Sequence, residues 1–117
     1  MFEKKDEEYY LNKVFDCHEK GKYKKAIGYC DKLMEINPND YKTYHAMGLC
    51  YQKLNDYKRS IEFYDICIEI NPECTDAYNN LGNVYHDLQK CDDAINDYTK
   101  AIELNPEFAL TYWNCIC

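Results

Sequence analysis

Eight cysteines and three histidines among 117 residues are the side chains that could do chemistry, as metal ligands, as redox pairs or as a thiol nucleophile activated by an imidazole. Their spacing points away from all three. Metal and dithiol sites use closely paired ligands, yet Cys17, Cys30, Cys50, Cys67, Cys74, Cys91, Cys115 and Cys117 contain no Cys-x-x-Cys pair and follow no ligand spacing. His18, His45 and His86 stand without a carboxylate-oriented nucleophile beside them, so no dyad or triad can be read. The residues predict no catalysis, no cofactor and no metal, and they predict reduced, buried thiols acting as small apolar groups.

The elements that must position these side chains recur along the chain. Ile36-Asn37-Pro38, Ile70-Asn71-Pro72 and Leu104-Asn105-Pro106 repeat at a step of 34 residues. Tyr44, Met47, Gly48 and Tyr51 reappear at the same step as Tyr78, Leu81, Gly82 and Tyr85, offsets that form one face of an α-helix. A second face follows in each unit: Ser60, Ile61, Tyr64, Cys67 and Ile68 match Ala94, Ile95, Tyr98, Ala101 and Ile102. Each unit is thus a pair of amphipathic helices. Proline lacks an amide donor and drives the residue before it out of the helical region, so each Asn-Pro should end a second helix. Asp40 and Thr75 are placed to cap the helices that follow. Gly48 and Gly82 lie on the packing stripe, where a missing Cβ permits close helix approach.

Charge narrows the partners. With 21 acidic against 14 basic side chains the net charge is −7, the opposite of the basic footprint that nucleic acid or an anionic membrane requires. Residues 73–117 alone carry eight acids and two bases. No run is long and apolar enough to span a membrane, and the N-terminus lacks the apolar core of a secretory signal. A cytoplasmic, reducing compartment is the expectation.

A 34-residue helix-turn-helix unit with an aromatic at position 4, a large apolar residue at 7, Gly at 8, Tyr at 11, small residues at 20 and 27, an aromatic at 24 and Pro at 32 resembles the tetratricopeptide repeat. Placing the prolines at position 32 divides the chain into an N-terminal tail at 1–6, repeats at 7–40, 41–74 and 75–108, and a truncated first helix of a fourth repeat at 109–117. The third repeat is the closest match. In the first, Lys13, Val14, Cys17, Cys30 and Leu33 replace the usual residues at positions 7, 8, 11, 24 and 27. Ten of the 13 tyrosines fall at positions 4, 11, 17 or 24 and read as packing residues. The resemblance implies an all-α fold, a right-handed α-solenoid of antiparallel helix pairs. The opening of a fourth repeat predicts that the natural chain continues past Cys117.

The resemblance also implies a concave ligand groove on the face of each first helix opposite the packing stripe. Projection at about 100° per residue assigns it Asn12, Phe15 and His18, then Lys42, His45, Leu49 and Gln52, then Asp76, Asn79, Asn80, Asn83 and His86. Leu11 and Ala46 share that face. The clamp by which family members grip an Hsp70 or Hsp90 C-terminal tail would fall on Leu11, Phe15, Ala46, Asp76 and Asn80, where an acid replaces a base, so that ligand is not expected. A ladder of asparagines at position 6, able to donate to and accept from a peptide backbone, fits Asn12, Asn80 and Asn114 and is broken by Ala46. These features predict a non-catalytic protein-protein interaction scaffold that binds a peptide segment of a partner. Two alternatives are the recognition arm of a larger enzyme (a glycosyltransferase, phosphatase or prolyl isomerase) and self-association through Tyr112, Trp113 and Ile116.

Overall fold

Among the described residues six helices follow the six apolar faces: α1 Glu7–Glu19, α2 Tyr23–Ile36, α3 Tyr41–Lys53, α4 Tyr57–Ile70, α5 Thr75–Asp87 and α6 Cys91–Leu104, with a short 3₁₀ turn at Pro106–Phe108. The computed structural model describes residues 6–108. The expected fourth-repeat helix, with Tyr112, Trp113 and Ile116, lies outside them. Helices pack in antiparallel pairs, α1 on α2, α3 on α4 and α5 on α6, and each pair leans on the next. Neighbour-only packing gives an elongated body of 56 × 25 × 21 Å, an all-α solenoid.

The punctuation acts as its chemistry dictates. α2, α4 and α6 end at Ile36, Ile70 and Leu104, and the asparagine before each proline is extended, with φ of −144°, −132° and −147°. Each asparagine side chain then accepts the amide two residues on: Asn39 N at 3.2 Å, Glu73 N at 3.2 Å and Glu107 N at 3.1 Å. Asp40 caps α3 by accepting from Lys42 N at 3.0 Å. Thr75 does not cap α5. The Cys74 amide closes the Asn71-Pro72 turn onto the Asn71 carbonyl at 3.1 Å, which makes Cys74 the boundary residue and carries Thr75 into the helix.

Inside each pair the turn is built the same way. Gly21, Asn55 and Gln89 occupy equivalent positions in left-handed conformation, with φ of 73°, 62° and 61°. The residue after each donates back into the preceding helix, as in Lys22 N to Cys17 O at 2.8 Å and Lys90 N to Tyr85 O at 2.8 Å.

The core runs along the pair interfaces. A Cβ on Gly48 would sit 2.7 Å from the Tyr64 ring, and one on Gly82 would sit 2.5 Å from the Tyr98 ring, so each glycine is the seat of a buried tyrosine. Ser60 Oγ donates to the Gly48 carbonyl at 2.8 Å, tying the same contact. The first pair lacks this arrangement and packs Val14 with Cys30, Leu33 and Met47.

Cys17, Cys30, Cys50, Cys67 and Cys74 are free, buried thiols, as expected of apolar packing groups. Burial pushes Cys30 up to about 12 and Cys50 up to about 11, so both stay protonated. Cys91 corrects the expectation of thiols throughout, because it is disulfide-bonded. It opens α6 half-buried beside the turn, where the helix-pair core does not claim its sulfur.

Candidate functional site

The residues assigned to the groove all stand on the first helices of the pairs, α1, α3 and α5. Between α3 and α5 the structure brings several of them together. Asn80 Nδ2 lies 2.9 Å from His45 Nε2 and donates to it, which places the imidazole proton on Nδ1. The His45 ring rests 5.7 Å from the ring of Tyr64. Burial holds His45 below the ordinary histidine range, with Asp76 opposing in part, so at neutral pH it is an uncharged acceptor.

Lys42, His45 and Asp76 line a cavity of about 410 Å³ at the joint between the second and third pairs. Six further residues line it that the helical projection did not reach: Tyr41, Asn71, Glu73, Cys74, Thr75 and Asn105. Most lie in or beside the joints, and the recurrence of Asn71 and Asn105 in the Asn-Pro signal was the available clue. Cys74 in the cavity wall shares a core cluster with Cys67, and the neighbouring Cys74 sulfur together with burial raises the Cys67 thiol above its usual range. Among the described residues no group of three His, Cys, Asp or Glu side chains could hold a metal ion.

Two other assigned residues are held from behind. The Tyr64 hydroxyl donates to Gln52 Oε1 at 2.8 Å, and the Tyr98 hydroxyl donates to Asn83 Oδ1. Gln52 and Asn83 thus spend their acceptors on the buried tyrosines and keep their NH₂ groups as donors. The hydroxyl reaches repeat position 12 in one case and 9 in the other, a difference of side-chain length that spacing does not reveal.

The remaining residues are less connected. Phe15 is 67% exposed and Leu11 38% exposed on α1, with Asn12 exposed between them, while Leu49 is half-buried on α3. His18 packs edge-on against Tyr23 at 5.2 Å, and burial with Lys53 nearby holds it below the ordinary range. Its Nε2 is buried without a hydrogen-bond partner, as is Asn79 Oδ1. The His18 orphan has a structural cause: position 24, which supplies the hydroxyl to Gln52 in the second pair, is Cys30 in the first. His86 is exposed, with Nδ1 4.0 Å from Asp87 Oδ1.

Residues 19–103 match the profile of a family described as anaphase-promoting complex, cyclosome, subunit 3. No curated protein matches. Among solved structures, the first tetratricopeptide domain of Spaghetti (RPAP3) bound to the HSP90 peptide SRMEEVD superposes with a TM-score of 0.83 at 24% identity, covering 94% of this chain and 92% of that one. Two structures of MamA superpose with TM-scores of 0.83 and 0.82, both at 26% identity over 90% of this chain. The chain spans 61% and 57% of the lengths of those two.

Proposed function

Because the chain belongs to the tetratricopeptide-like family described as anaphase-promoting complex, cyclosome, subunit 3, we propose that it is a non-catalytic interaction module that holds an extended peptide segment of a partner protein across α1, α3 and α5. The observation that carries this reading is the 2.9 Å contact of Asn80 Nδ2 with His45 Nε2, which ties side chains of α3 and α5 together and leaves the Asn80 carbonyl oxygen as an acceptor for a peptide N–H.

The neighbouring amides extend the same logic. Asn80 gives its NH₂ to His45 and keeps Oδ1 to accept, whereas Gln52 and Asn83 keep NH₂ to donate. An extended peptide offers alternating N–H and C=O groups to match, and Leu11, Phe15 and Leu49 offer it an apolar contact. The RPAP3 domain binds an HSP90 peptide. Here Leu11, Phe15, Ala46, Asp76 and Asn80 stand at the carboxylate-clamp positions, which favours an internal segment over a chaperone tail. A family description that names one subunit of a multi-protein assembly agrees with a module whose task is to hold another chain.

Affinity capture with the chain, followed by titration of the peptide that competes for this face, tests the reading. Asn12→Ala combined with Asn80→Ala should weaken that peptide by roughly tenfold or more. Unchanged affinity in the double variant overturns it.

A further inference from the structure

At the other end of the helices, where the α1–α2 and α3–α4 turns lie side by side, two cavities of about 560 Å³ and about 350 Å³ meet at Lys24 and Leu54. The floor of the larger is apolar: Ile27 and Tyr51 are half-buried, and Leu54, which both cavities share, remains 36% exposed. Their rim is basic. Lys22, Lys24 and Lys25 are exposed and crowd the start of α2, which has no acid in its first turn.

These three lysines form no ion pair among the described residues, although the chain carries seven more acids than bases. The acid that lines the larger cavity, Asp56, is already engaged: it accepts from Arg59 N at 3.3 Å and pairs with the Arg59 guanidinium at 3.5 Å. Arg59 in turn lies over the Tyr51 ring at 5.7 Å, which fixes the far wall. Three cations at the positive end of a helix repel one another and the helix dipole, and no ion pair among the described residues offsets them.

We infer that this edge is a second docking surface, separate from the face of α1, α3 and α5, and that its occupant is an acidic polypeptide segment carrying one large apolar side chain. Carboxylates would meet Lys22, Lys24 and Lys25 while the apolar side chain covers Leu54 and Ile27. The charge complementarity is local, since three lysines set in a protein of net charge −7 suit a short acidic stretch and not a long polyanion. A phosphate backbone would also leave the apolar floor uncovered.

The test is a titration of the chain with the synthetic peptide Glu-Asp-Glu-Leu-Glu-Asp-Glu, followed by backbone amide chemical shifts. Shifts should concentrate at residues 22–27 and 51–59 and weaken as salt is raised. Lys24→Glu with Lys25→Glu should cut affinity by about tenfold or more, and the neutral pair Lys24→Gln with Lys25→Gln should give a smaller loss in the same direction if the charge reversal disturbs folding. The Asn12→Ala, Asn80→Ala variant should bind the peptide as the parent does. Three results would each overturn the inference: lysine variants that bind unchanged, a peptide with Gly for Leu that binds equally well, or an oligothymidine that binds as tightly with the same lysine dependence.

Discussion

The first and third helix pairs solve one packing problem with opposite choices. In the third, the stripe position on α5 is Gly82 and the facing position on α6 is Tyr98, a void filled by a ring that is 2% exposed. In the first, the same positions hold Val14 and Cys30, 7% and 0% exposed. Volume moves from one helix to the other while the interface stays closed, and Leu33 on α2, where α6 has Ala101, adds to the filling. The exchange has a polar cost. Tyr98 carries a hydroxyl that orients Asn83, whereas Cys30 carries none and His18 keeps an unpartnered Nε2. What the pairs share is therefore a total volume across the interface and not a residue at each position.

Moving the first pair's solution into the third is the strongest way to break that comparison. Gly82→Val should destabilise by about 3 kcal/mol, since the Tyr98 ring has no room to retreat, and Tyr98→Cys by a similar amount through the cavity it leaves, about 3 kcal/mol. Combined, they should cost less than their sum by roughly 1 kcal/mol or more, read from a double-mutant cycle in urea. Strict additivity would show that the two pairs do not trade volume. Tyr98→Phe isolates the polar half of the difference. It should cost about 1–1.5 kcal/mol by leaving the Asn83 acceptor unpaired, with no matching effect available in the first pair.

Charge separates the pairs next. Burial, with Asp65 and Asp93 nearby, raises Asp97 from 3.8 to about 6, where the first pair has Tyr29 at the equivalent position. The folded state thus holds a proton more tightly than the unfolded chain, so Asp97 adds stability as pH falls from about 6 towards 4 and withholds it at neutral pH. Asp97→Asn should raise stability at pH 7 by on the order of 1 kcal/mol once the partial exposure of the carboxyl is allowed for, and flatten the pH dependence of thermal melting across that interval. A variant as pH-dependent as its parent would remove Asp97 from the account. The smallest effect lies in the turns. Gly21 adopts its left-handed conformation without strain and Gln89 does not, so Gln89→Gly should gain about 0.5 kcal/mol, the relief of strain exceeding the added chain entropy by that margin.

The helices and their joints were legible because proline chemistry and the i, i+3, i+4, i+7 stripe act within one helix. Val14 and Cys30 each depart from the repeat pattern when read singly, whereas the core selects them together. The His45–Asn80 bond was legible only as two residues on one face, since its distance depends on how α3 sits against α5. Thr75 failed as a cap because the turn hydrogen bond, and not the hydroxyl, chose the boundary. The left-handed conformations of Asn55 and Gln89 carried no signal beyond their register with Gly21.

The Asn-Pro joints have a consequence for how such a chain grows. A 34-residue stretch taken between two of them carries its own exit turn, its own helix stop and both halves of its packing pair. Tandem duplication of the gene segment therefore copies geometry along with sequence, and a new copy is fitted to its neighbours at birth. A change at one of two facing positions then fits where the other changes with it, which is the relation of Val14 and Cys30 to Gly82 and Tyr98.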